Sequence, residues 1–161
     1  MINIFIIFLG LLLTVALESF TITLLSFSIA IILLFILIDK WDWRKWLVVA
    51  FILTVLLDVV LHRPVGATML ITTVSSLILN LLFLVMPKKE IILSYIPYFF
   101  AILIFYILLG LTVPFLQEAV WGVLSWSGLL TDLLRSVISV LLIFFINLLI
   151  DNFRSNSDLS L

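Results

Sequence analysis

Long apolar runs separated by short polar interruptions set the pattern of this chain. Between charged residues the runs are 2–17, 19–38, 47–57, 64–87, 91–117 and 136–150. A membrane-crossing helix needs about 20 mostly apolar residues, fewer where flanking side chains reach back to the interface. The second, fourth and fifth runs qualify directly. The third and the last qualify once their flanks are added. The expected fold is therefore all-α: one integral membrane domain over residues 1–161, with spans at 2–17, 20–38, 45–61, 66–86, 91–112 and 133–152. Five helices is the alternative, if 2–38 contains a re-entrant or interfacial piece.

Two places resist this scheme. As a single helix, residues 2–38 would be about 56 Å long, nearly twice a hydrocarbon core of roughly 30 Å. The stretch must break, and "ESFT" at 18–21 is its only polar interruption, so the turn is expected there. The outer segment 113–135 begins near Pro114 and reads "QEAVWGVLSWSG" from residue 117, too apolar for a solvated loop. An amphipathic helix over 114–128, lying in the outer interface, is the expectation. Pro87, just before "KKE", marks a short turn between the fourth and fifth helices.

Composition agrees with the pattern. Of the 161 residues, 66% are hydrophobic and 11% charged, against about half and a quarter in soluble domains. The opening "MINIFIIFLGLLLTVALES" lacks the basic start and the spaced small residues of a cleaved signal, so it reads as a retained first helix. A net charge of −1 offers no basic surface for nucleic acid, and the absence of cysteine removes disulfides and thiolate sites. With six spans and a cytoplasmic N-terminus, six of the eight basic residues fall inside: Lys40, Arg44, Lys45, Lys88, Lys89 and Arg154. Arg63 and Arg135 fall outside. By the positive-inside rule both ends face the cytoplasm. Trp41, Trp43 and Trp46 at the inner level, and Trp121 and Trp126 at the outer, fit aromatic belts.

Catalytic patterns are missing. There is one histidine, no phosphate-binding glycine loop, no His-Glu-x-x-His and no Gly-x-Ser-x-Gly. Asp39 and Asp42 are three apart but lie among cations in "DKWDWRKW", where solvated ion pairing accounts for them. No enzyme, cofactor or metal site is expected.

The chemistry that remains is concentrated in "LLDVVLHRPVGATML", residues 56–70. Asp58 stands inside the third span, where a carboxylate costs about 2.5–3.5 kcal/mol at mid-membrane and less toward the edge. The reading is a structural hairpin: Asp58 faces the bundle and pairs with His62, one turn later, or with Arg63. Pro64 ends the helix and Gly66 lets the chain re-enter. A proton path would need a second buried acid. Beyond the hairpin, Thr68, Thr72, Ser76 and Asn80 recur every four residues and so share one face. Small and hydroxyl side chains let helices approach closely in lipid, which makes this a packing stripe and the fourth helix central. The competing reading is the lining of a substrate cavity. Asn147 is a candidate inter-helix hydrogen bonder, and Asp132 with Arg135 an i,i+3 pair.

The pattern "FILTVLLDVVLHRPVGATMLI" resembles the family of the rod shape-determining protein MreD. There, an aromatic-rich helix ends in an acid, followed about seven residues later by a glycine that opens the next helix; Asp58 and Gly66 match these. "VALESFT" is similar to a Glu-Ser step closing the first helix, and "LLTDLLRSVISVLLIFFINLLIDNFR" to the last helix with its inward Asn. The resemblance implies a non-enzymatic inner-membrane subunit of the bacterial cell-elongation machinery. Its partners would be the membrane-anchored protein MreC, the actin-like MreB and the peptidoglycan synthases. It also implies a fold like the substrate-binding subunits of energy-coupling-factor vitamin transporters, and with it a rival function, the capture of a small molecule at the outer face. Those subunits usually carry an Ala-x-x-x-Ala patch on the first helix, whereas residues 2–17 hold only Ala16.

Overall fold

The computed structural model describes residues 2–25, 27–86, 93–118 and 120–158. Within them the regular structure is helical: α1 (Ile2–Leu25), α2 (Ile29–Lys40), α3 (Trp43–Val60), α4 (Ala67–Val85), a short 3₁₀ turn (Leu93–Tyr95), α5 (Ile96–Glu118) and α6 (Trp126–Asp158). Three stretches, Ala67–Val85, Ile96–Glu118 and Trp126–Ile150, are long and apolar enough to cross a membrane. Their outward faces expose Leu70, Leu77, Leu84 and Phe145, a surface suited to lipid. The expected turn at Pro87, with Lys88 and Lys89, lies outside the described residues.

The first turn is not at 18–21. α1 runs unbroken through Glu18–Thr21 to Leu25, and the chain reverses around Phe27–Ser28. None of Glu, Ser, Phe or Thr breaks a helix, each costing at most about 0.7 kcal/mol relative to Ala. The Thr21 hydroxyl even donates back to the Glu18 carbonyl at 3.2 Å. Ser28 carries the start signal instead: it has extended backbone angles, and its Oγ accepts from the Ile31 N–H at 3.3 Å.

This leaves α2 only 12 residues, about 18 Å long. Apolar almost all round, it is the enclosed element: Ala30, Ile31, Leu34 and Phe35 are essentially inaccessible, and it touches α1, α3, α4 and α6. The sequence pointed to the fourth helix as central. A helix apolar on every side is the one that a bundle can surround, whereas α4 keeps one face open. Trp46, expected in the inner belt, is instead buried, and its indole N–H donates to the Leu34 carbonyl at 2.8 Å.

No interfacial helix covers 114–128. α5 continues through Pro114 to Glu118, residues 120–125 are non-helical, and α6 starts at Trp126. Proline has no N–H for the carbonyl four residues back, here Gly110. Residues 120–125 fold against that exposed turn. The Gly122 N–H donates to the Leu111 carbonyl at 3.3 Å, and the Trp121 and Phe115 rings stack with centroids 4.2 Å apart. Gly122 is required there, since a Cβ would lie 2.1 Å from the Gly110 oxygen.

Candidate functional site

The α3–α4 hairpin is built around Asp58, which is fully buried. α3 closes with a left-handed cap: the Arg63 N–H returns to the Asp58 carbonyl at 2.8 Å and the His62 N–H to Val59 at 3.3 Å. This is the Schellman arrangement, with His62 in the left-handed position at φ 53°. Pro64 follows the cap rather than ending the helix. Gly66, at φ 93°, begins α4 without a side-chain cap of its own.

The Asp58 side chain supplies the missing cap from the neighbouring helix. Its Oδ2 accepts from the Gly66 N–H at 2.8 Å, the Thr68 N–H approaches both oxygens at 3.3 Å, and the Thr68 hydroxyl donates to Oδ1. Charge-assisted bonds contribute about 1.5–3 kcal/mol each, which outweighs the cost of placing the acid there. The positive end of the α4 dipole adds to this. The pairing expected between Asp58 and His62 is therefore replaced: His62 is exposed, and its carbonyl accepts from the Gln117 amide at 3.0 Å. Arg63 stays within electrostatic reach of Asp58 and of Glu18. Burial pulls its guanidinium below the usual arginine pKa, against the raising effect of the two carboxylates.

Glu18, which the sequence reading placed in a turn, repeats this device. It is buried to 1% exposure, and its Oε2 accepts from the Ala30 N–H at 2.9 Å in the first turn of α2. The Tyr106 hydroxyl accepts from the Ser28 N–H at 3.0 Å beside it. Glu18, Ser28, Arg63, Thr68, Tyr106 and Arg135 line a partly open cavity of about 110 Å³, together with apolar side chains such as Leu57 and Phe105. Arg135 makes the expected i,i+3 bridge to Asp132 at 3.0 Å and lies 5.8 Å from the Tyr106 ring centre. Two atoms of this group have no hydrogen-bond partner among the described residues, Glu18 Oε1 and Arg135 Nε. The signal for Glu18 was present in the sequence: an ionisable residue in an apolar run with no helix breaker beside it. Ser28 carried the signal of a cap residue just before an apolar run, and Tyr106 carried none.

The remaining predicted residues lie elsewhere. Thr68, Thr72 and Ser76 share the buried face of α4 with Ala67, Ile71, Ser75 and Leu79. Asn80 does not; it is on the exposed face, because at 100° per residue the buried face has moved on to Leu79 by that turn. Thr72 donates to the Thr68 carbonyl at 2.7 Å and Ser76 to Thr73 at 2.9 Å, so these hydroxyls bond within α4 rather than across helices. Asn147 is half-buried, and its Oδ1 has no partner where an inter-helix bond was expected. It lines a separate cavity of about 130 Å³ with Asp39, Ser94, Tyr95 and Tyr98, and the Tyr98 hydroxyl donates to Asp39.

Fold and cavity together define an all-helical membrane protein with a cavity into which α1, the α3–α4 hairpin, α5 and α6 bring charged and hydroxyl side chains. No family model, curated protein or solved structure matches the chain.

Proposed function

We propose that this chain is a non-enzymatic, MreD-like subunit of the bacterial cell-elongation machinery. In this reading it is a six-span protein of the cytoplasmic membrane, with both ends inside, that organises peptidoglycan synthesis through helix–helix contacts. An MreC-like single-pass protein is the expected partner. The observation that carries it is the use made of Asp58, the acid at the centre of the MreD-like pattern. Both its oxygens are occupied by the α4 N-terminus, so it ties two helices together and is not free for proton or ligand chemistry. The test is depletion of the protein in the bacterium that encodes it, following cell width and wall-precursor incorporation by microscopy. Rounding with delocalised incorporation is expected. Unchanged shape would overturn the proposal.

A second reading, a subunit that captures a small molecule for an energy-coupling-factor-type transporter, is favoured by the cavity at Glu18, Arg63 and Arg135. Growth rescued by an added vitamin, with normal cell shape, would support it instead.

A further inference from the structure

We propose that the cavity between Glu18, Arg63 and Arg135 binds a small zwitterion, an ammonium joined by a short linker to a phosphate or carboxylate. The cavity carries this inference independently of either functional reading. Its wall carries one carboxylate, on α1, and two guanidiniums, one from the hairpin and one from α6. Each carboxylate or guanidinium has a structural bond or neighbour, yet valences remain. Glu18 commits Oε2 to Ala30; the Ser28 side chain and the Ile29 N–H lie near the carboxylate, yet Oε1, a buried acceptor, makes no hydrogen bond of good geometry among the described residues. Arg135 commits Nη1 to Asp132 and leaves Nε, a buried donor, without one.

Unmade hydrogen bonds at buried charged atoms are costly, so the cavity calls for a group that supplies both a donor and an acceptor. A simple anion answers the arginines but faces Glu18. A simple cation answers Glu18 but faces two arginines. A zwitterion satisfies both, with its ammonium on Glu18 Oε1 and its anionic oxygens on Arg135 and Arg63, a geometry that guanidinium forks favour. Leu57 and Phe105 give the linker methylenes an apolar wall. The cavity, about 110 Å³ and partly open, suits a compact charged headgroup and leaves a way out for an attached chain. Two sources share this chemistry: an aminoethyl phosphate lipid headgroup, and a free small amino acid.

The test uses the full chain purified in detergent. Thermal unfolding is followed with O-phosphoethanolamine, glycine, ethanolamine and inorganic phosphate as probes. Native mass spectrometry compares phosphatidylethanolamine with phosphatidylglycerol of the same acyl chains. Binding to the native state raises the unfolding temperature, so a rise of several degrees is expected with a zwitterion and not with ethanolamine or phosphate alone. Arg63→Gln and Arg135→Gln should each weaken that binding by about tenfold or more. Arg135→Gln also gives up the bridge to Asp132, so Arg63→Gln is the cleaner of the two. Selective retention of phosphatidylethanolamine identifies the lipid source; a response to glycine without lipid selectivity identifies the free solute. Equal shifts with inorganic phosphate, shifts that persist in both variants, or no response to any probe would overturn the proposal and leave a cavity that serves only water.

Discussion

Asp58 and His62 show how two side chains decide the geometry of a hairpin. The carboxylate accepts from two N–H groups and a hydroxyl. Asp58→Asn keeps one acceptor but turns an amide N–H toward a donor. It should lower stability by about 1–3 kcal/mol, the range spanned by a lost cap and an unmet buried donor. Thermal unfolding in detergent measures this, and Arg63→Gln, which leaves those bonds intact, should shift it less. An Asp58→Asn protein as stable as wild type would remove the capping role. His62 argues from the backbone. At φ 53° it carries a penalty that glycine does not, so His62→Gly should be neutral or stabilising by up to about 1 kcal/mol. A β-branched residue fits that region worst, and His62→Val should cost about 1–2 kcal/mol. Loss of stability in both variants would show that the imidazole, and not the backbone, matters.

Among the elements, α4 and the α5–α6 connection carry the sharpest expectations. Thr72 and Ser76 sit on the buried face of α4 and Asn80 on the open one. Thr72→Leu or Ser76→Leu should wedge the helix outward and cost about 1–3 kcal/mol by overpacking. Asn80→Leu should cost nothing, since lipid accepts the larger side chain. In the connection, Gly122→Ala puts a methyl 2.1 Å from a backbone oxygen, which forces 120–125 off α5. Separation of the Trp121–Phe115 stack should then show as a change in tryptophan emission. Unchanged emission would mean that the segment holds its place without that contact. Helix existence was readable from the apolar runs because lipid imposes a length on each crossing. Helix ends were not, since they depend on caps. The polarity of "ESFT" points to a turn that Ser28 sets instead, and Pro114 reads as a stop. Proline costs a helix one hydrogen bond, and a folded-back segment packed on the exposed turn lets the helix continue. Asp58 was legible as a buried acid; its partner was not, because Gly66 and Thr68 approach it through the fold.

For the molecule as a whole, the number of crossings turns on α2. α2, at 12 residues, is shorter than a full span, and α1 reaches past the level at which Glu18 holds the start of α2. Six crossings require residues 29–42 to bring the chain back to the side where it began. A re-entrant α2 would give five and leave the N-terminus on the opposite side from Lys40. Both forms count α3 as a crossing, and so both put residues 40 and 65 on opposite sides. The chain has no cysteine, so single substitutions report cleanly. Asn3→Cys, Lys40→Cys and Val65→Cys can each be exposed to a membrane-impermeant maleimide in intact cells and again after lysis. Six spans with both ends inside predict labelling of position 65 in intact cells, and of positions 3 and 40 only after lysis. Labelling of position 3 but not 40 in intact cells would establish the five-span form. Labelling of 40 but not 65 would invert the orientation and turn the Glu18–Arg63–Arg135 cavity toward the cytoplasm. The source of any zwitterion it binds would then have to be sought on that side.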